Sequence, residues 1–119
     1  MLEFFQAGGA PMFVLLALGV VALVAAGRFA HRPSREALGP IDALRRALIY
    51  ASIAGLASDL MAVFTQVPAH PEWSKSPELH LIVMQGLGES MSPVVFGFTI
   101  LNVMYVLVAV GERRLRAGA

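Results

Sequence analysis

The stretch QGLGESMSPVVFGFT, residues 85–99, decides the fold class, because it lies inside an apolar run that covers residues 79–110. About 20 apolar residues are enough to cross a bilayer, and this run is longer. It nevertheless contains an ionisable Glu89, accompanied at near-helical spacing by three polar side chains: Gln85, Ser92 and Thr99. At about 100° per residue, the four side chains fall within roughly 80° of one another. The pattern therefore predicts a membrane helix with one polar stripe.

The composition of the whole chain points to the same class of protein. Of its 119 residues, 57% are hydrophobic and only 14% are charged, which is more apolar surface than a soluble domain of this size can bury. We therefore expect an all-α integral membrane protein with a single domain covering residues 1–119. The chain contains no cysteine, so it forms no disulfides, and its basic residues do not alternate with aromatic residues as in a nucleic-acid surface.

The order of apolar and polar segments predicts three transmembrane helices. The expected ranges are about 12–30 for the first helix, 31–41 for a cytoplasmic link, 47–67 for the second helix, 68–78 for an outer link and 79–110 for the third helix. Before the first helix, Leu2, Phe4 and Phe5 are expected at the level of the lipid headgroups. The acidic start lacks the basic region of a removable signal peptide.

The positions of the basic residues predict the orientation of these helices. Five arginines flank the first link and three follow the third helix, whereas the second link contains only Lys75. Because cytoplasmic loops carry an excess of Lys and Arg, we expect the N-terminus outside and the C-terminus in the cytoplasm.

The second helix combines a small-residue pattern with a second acid. Ala54, Ser58 and Ala62 follow one another at four-residue steps, which lets helices approach closely in lipid. Asp59 lies about 20 Å along the helix from Arg46, somewhat beyond the middle of a roughly 30 Å hydrocarbon core. A carboxyl group at that depth is costly, so Asp59 either carries a proton, pairs with an arginine, or bonds to a neighbouring helix as a neutral acid.

The second half of the chain resembles the MotA/TolQ/ExbB proton-channel family. The resemblance is carried by Gly55 and Phe64 in the second helix, and by Gly86-Leu87-Gly88-Glu89-Ser90-Met91 and Gly97 in the third. It implies a ring of copies, five in that family, in the bacterial inner membrane. The second and third helices would line a pore around a single-span partner protein, and proton flow would drive a motor or energy-transducing complex. Glu89 matches the family's glutamate.

Several positions depart from the pattern of that family. Val94 stands where a pore threonine is expected, Pro93 interrupts the helix, and the cytoplasmic insertion is reduced to about ten residues. The family also does not usually carry an acid at Asp59. These departures leave open a second hypothesis, a non-conducting membrane scaffold or assembly subunit of a larger complex.

The hypotheses assign two sets of residues. The expected ion-pathway residues are Asp59, Glu89, Ser92, Thr99 and Ser52. The expected helix-packing residues are Ala54, Ser58, Ala62, Gly55 and Gly97. Besides Asp59, two of these positions keep alternatives: Glu89 as a solvated interfacial carboxylate, and Thr99 as a group bonded to the backbone or to a neighbouring helix. No pattern predicts an enzyme or a cofactor, and His70, Glu72, Glu78 and His80 lack the spacing of a metal site.

Overall fold

A computed structural model describes residues 9–118 of the chain. Within this range the protein is helical and contains no strand, and the elements follow one another as α1 (Ala10–His31), α2 (Leu38–Ala69), α3 (Pro71–Ser74), α4 (Leu79–Ser90) and α5 (Ser92–Ala117). A 3-10 turn, Arg35–Ala37, joins α1 to α2. The expectation for Leu2, Phe4 and Phe5 lies outside the described residues. The all-α class predicted from the sequence is confirmed.

Three segments are long and apolar enough to cross a membrane: Ala10–His31, Arg35–Ala69 and Leu79–Ala117. Their outward surface is apolar, with Val20, Met61 and Val106 all more than half exposed. Large apolar side chains exposed on each of the three long helices are unfavourable in water but match hydrocarbon. The protein is therefore a multi-pass membrane protein, and its orientation stays a prediction.

The core lies where α1 packs against both α2 and α5. α1 contributes Met12, Leu15 and Phe29, all essentially inaccessible to solvent, because one side of this uniformly apolar helix faces its two neighbours. Leu48 from α2 and Met104 from α5 complete the centre.

Glycines allow the helices to approach closely at their crossings. A Cβ atom on Gly55 would lie 2.7 Å from Pro93 Cβ and 3.1 Å from Pro11 Cβ, so only a hydrogen fits between the starts of α1 and α5. A Cβ atom on Gly97 would overlap the Ser52 hydroxyl. The chain uses small residues where backbones must meet, as membrane helices commonly do.

The structure divides the predicted third membrane helix at Met91. α4 ends at Ser90 and α5 starts at Ser92, because Pro93 has no N–H for a continuous helix and fits the first turn of a new one. The Met91 N–H donates to the Gly88 carbonyl at 3.2 Å, which closes the turn between them.

The parts of α2 and α4 nearest the link between them form a hairpin that extends beyond the start of α1. Its two helices touch where Gly86 approaches Val63, since a Cβ atom on this glycine would lie 2.8 Å from Val63 Cγ2. The described chain is 66 Å long and about 19 Å wide. Its length exceeds the roughly 30 Å thickness of the hydrocarbon core.

The opposite end of the bundle is held by arginines, and we call it the basic end. Arg45 on α2 donates from Nη1 to the Tyr105 hydroxyl on α5 at 2.8 Å and from Nε to Asp42 Oδ1 at 3.1 Å. Arg114 on α5 donates to the Ala30 carbonyl at the end of α1, at 3.0 Å. These bonds join α5 to both other long helices.

Candidate ion-pathway site

Asp59 is the most unusual polar residue of the bundle. It is half-buried on α2, level with the first residues of α1, and a Cβ atom on Gly9 would lie 3.7 Å from its Oδ1. Its Oδ2 atom is buried and has no hydrogen-bond partner among residues 9–118. A buried carboxyl oxygen without a partner is costly, and most of all in a chain surrounded by lipid. Residues 9–118 thus leave this oxygen without the bond that its burial requires.

Asp59 and Glu89 lie at about the same depth in the bundle. Two contacts fix how α2 aligns with α4 and α5: Gly55 against Pro93, and Val63 against Gly86. Asp59 is midway along α2 between Gly55 and Val63. Glu89 is likewise about midway between Gly86 and Pro93. Beyond this level the surface still exposes the large apolar side chains of Phe64 and Met84. Two acids therefore share one level of a predominantly apolar surface.

Glu89 is exposed and lies in a groove between α2 and α4. It accepts a hydrogen bond from Gln85 Nε2, one turn earlier on α4, at 3.2 Å. Gln66 on α2 lines the same groove, which has a volume of about 420 Å³ and is bounded by Trp73. The groove thus gathers two amides and a carboxylate, a set that can hold water or a proton donor.

The other predicted pathway residues differ in their exposure to solvent. Ser52 is completely buried in the core, and its hydroxyl donates to the Leu48 carbonyl at 2.7 Å. Ser92 is also buried, at the first position of α5. Thr99 is exposed, and its hydroxyl donates to the Val95 carbonyl at 2.6 Å, which is the backbone bond kept as an alternative for this residue. Of the four residues of the predicted stripe, Gln85, Glu89 and Thr99 are exposed, whereas Ser92 is buried.

The predicted packing residues fall into two groups. Gly55 and Gly97 are buried at helix crossings within the chain. Ala54, Ser58 and Ala62 are exposed. The first two of these exposed residues border a shallow groove against Pro11 and Val14 of α1. We call Ala54, Ser58 and Ala62 the small-residue face, and it is accessible to another helix.

Sequence reasoning missed two features near the site and at the basic end. Ser90 is buried, and its hydroxyl donates to the Gly86 carbonyl one turn earlier in α4, at 2.8 Å. The Arg45–Tyr105 bond joins residues 60 positions apart. A serine within a helix is a local signal for the bond from Ser90 to the carbonyl four residues earlier. No local pattern indicates the bond between Arg45 and Tyr105.

The histidines and acids of the link between α2 and α4 do not assemble a metal site. Among residues 9–118, no group of three His, Cys, Asp or Glu side chains is placed to hold a metal ion. His70 stacks on Trp73 with ring centroids 4.2 Å apart, and its Nδ1 lies 2.7 Å from the Gln66 carbonyl. These contacts shape the link between α2 and α4.

Comparisons of the chain with models of protein families, with curated proteins and with solved structures find no match. A functional assignment therefore depends on the residues and geometry described above. The resemblance to the MotA/TolQ/ExbB family stays a prediction from the short motif around Glu89.

Proposed function

We propose that the protein is a channel-type membrane subunit of a proton-driven motor or energy-transducing complex. Several copies would surround membrane helices of a single-span partner protein. The observation that carries the proposal is the buried Asp59 Oδ2 atom, which has no hydrogen-bond partner among residues 9–118.

The reason lies in what a carboxyl group needs in lipid. An acid in a membrane segment faces protein or a water-filled cavity, and such acids mark ion pathways and proton relays. A neighbouring copy, a partner helix or water in a path between them would supply the bond that Asp59 does not find among residues 9–118. A carboxyl group in that setting can accept a proton from one side of the membrane and release it to the other.

Glu89 would be the second titrating group of the path. It lies at the depth of Asp59 and is exposed in a groove with Gln85 and Gln66, so water can reach it. Thr99 is exposed on α5 and would line the path further along. Ser52 and Ser92 are buried within the chain, so we place them in packing and not in the path.

The small-residue face supports assembly into a ring. Ala54, Ser58 and Ala62 are exposed in the single chain, and small residues let membrane helices from different copies approach closely. The family resemblance suggests five copies in the bacterial inner membrane, with the N-terminus outside and the C-terminus in the cytoplasm. The basic residues at the ends of α1 and α5 support that orientation.

The proposal is tested by measuring proton flux. The complex, purified with the partner that accompanies it, is reconstituted in liposomes, and the decay of a pH gradient is followed by fluorescence. Asp59→Asn keeps the shape of the side chain and removes its titration, so flux should fall at least about tenfold. Asp42→Asn is the control, because that acid lies in an arginine cluster at the basic end.

The control should conduct like the natural protein, and both variants should keep the natural oligomer on size-exclusion chromatography. Unchanged flux in Asp59→Asn would exclude Asp59 as a proton carrier.

The second candidate function is a non-conducting scaffold that binds partner helices. Burial of Ser92 and the presence of Val94 in place of the family threonine favour it, since both remove polar groups from the start of α5. An oligomer whose axis is lined by Val94 and Phe96, with no polar passage and no flux from the natural protein, would support the scaffold.

A further inference from the structure

The basic end of the bundle contains a cavity of about 580 Å³ where α1 ends and α2 begins. Three basic side chains from the end of α1 line it: Arg28, His31 and Arg32. Its other walls include the apolar residues Ala25, Phe29 and Ile41. A cavity that combines cationic groups with apolar walls at the end of a membrane helix suits the headgroup of an anionic lipid.

The two arginines of this cavity are available to an anion. Neither Arg28 nor Arg32 forms an ion pair or a side-chain hydrogen bond within residues 9–118. Arg45 and Arg46, in contrast, both form ion pairs with Asp42, and the distance from Arg46 Nε to Asp42 Oδ2 is 3.2 Å. The cavity therefore presents cations whose charge no acid of the described chain offsets.

An apolar track leads from the cavity along α1. Val24 and Val21 precede Arg28 by four and seven residues, so the three side chains share one face of the helix. The valines are 55% and 53% exposed. A phosphate held by the arginines would leave an acyl chain lying along these valines.

The charge of this end of the protein favours an anionic ligand over a neutral one. Eight of the nine Lys and Arg residues lie here, against three of the eight Asp and Glu residues. Anionic lipids gather near clusters of basic residues next to membrane helices. We propose that the cavity binds one anionic phospholipid, with its phosphate between Arg28 and Arg32 and one acyl chain along Val24 and Val21. This inference does not depend on proton conduction.

Native mass spectrometry of the purified full-length protein tests the inference. The protein is titrated with phosphatidylglycerol and, in parallel, with phosphatidylcholine of the same acyl chains. We expect the natural protein to retain phosphatidylglycerol preferentially. The double variant Arg28→Gln/Arg32→Gln should weaken that binding by about 10- to 30-fold, the effect of removing two cations near a lipid phosphate.

Two further variants separate a specific site from general charge attraction. Arg113→Gln/Arg116→Gln removes the same charge from exposed positions of the basic end outside the cavity, and should change binding by less than about twofold. Arg28→Lys/Arg32→Lys keeps the charge and should retain most of the binding. Circular dichroism of each variant checks that the helices are intact.

Three results would overturn the inference. Equal loss in both glutamine variants would indicate general charge attraction. Equal retention of phosphatidylcholine would indicate that the phosphate-binding arginines do not select charge. Full competition by glycerophosphoglycerol, which has the headgroup but no acyl chains, would show an anion site that uses no lipid tail.

Discussion

Gly97 on α5 lies directly against the Ser52 hydroxyl on α2, so that any side chain at position 97 would overlap it. The hydroxyl is held there because it donates to the Leu48 carbonyl at 2.7 Å within its own helix. A Cβ atom at position 97 would also lie 3.3 Å from Leu15 Cδ2 on α1. This glycine therefore sets the spacing of all three long helices.

Gly97→Ala should destabilise the bundle because the added methyl group has no space. Overpacking of this kind costs about 1–3 kcal/mol. The free energy of unfolding, measured by titrating the purified protein with SDS and following helicity, gives the value. The double variant Gly97→Ala/Ser52→Ala removes the overlapping hydroxyl and should recover part of the loss. No recovery would show that Ser52 is not the obstructing group.

Phe29→Ala should be among the most destabilising single changes in the chain. Phe29 is 1% exposed and packs on Gly111, so truncation leaves a cavity between α1 and α5. Changes from Phe to Ala in a core cost about 3–5 kcal/mol. Phe64→Ala is the matched control, because Phe64 is 59% exposed on α2. Equal effects on the free energy of unfolding would contradict the core described here.

Tyr105→Phe should weaken the connection between α2 and α5. The change removes only the hydroxyl that accepts a bond from Arg45 Nη1 at 2.8 Å. Because the site is partly exposed and Arg45 keeps Asp42 as a partner, we expect a loss of about 1 kcal/mol. Tyr50→Phe, at a tyrosine that is 67% exposed, should leave the free energy of unfolding unchanged. A larger loss of unfolding free energy in Tyr50→Phe than in Tyr105→Phe would contradict the role given to the bond between Arg45 and Tyr105.

Much of the architecture could be predicted because it depends on local patterns. The three apolar runs predicted three membrane segments, and each run is helical in the structure. Of the predicted polar stripe, Gln85, Glu89 and Thr99 are exposed. Ser92 is buried, because the first turn of α5 packs against Gly55 of α2, which no local pattern indicates.

The candidate site could be predicted only in part. The sequence singles out Asp59 and Glu89 as candidates because acids stand out in apolar runs. The burial of Ser52 could not be found in that way, because it depends on the approach of Gly97, 45 positions away in the chain. The bond between Arg45 and Tyr105 likewise depends on how α2 and α5 align.

Ser58→Leu should disrupt assembly if copies pack through the small-residue face. Ser58 is exposed in the single chain, and a bulky side chain there would keep another helix at a distance. Ala57→Leu is the control, because Ala57 is also exposed but lies about 100° around the helix. Native mass spectrometry should show smaller assemblies for the first variant and the natural number of copies for the second. The same number of copies in both would exclude this face from the interface.

The proposed role of Asp59 is tested most directly by imaging the purified complex in lipid nanodiscs by electron cryomicroscopy. We expect a ring in which Asp59 Oδ2 meets a polar group of a neighbouring copy, a partner helix or water in an enclosed path, with Glu89 at the same level. A single copy in which Asp59 and Glu89 both face open lipid or bulk solvent would contradict the proposed ion path.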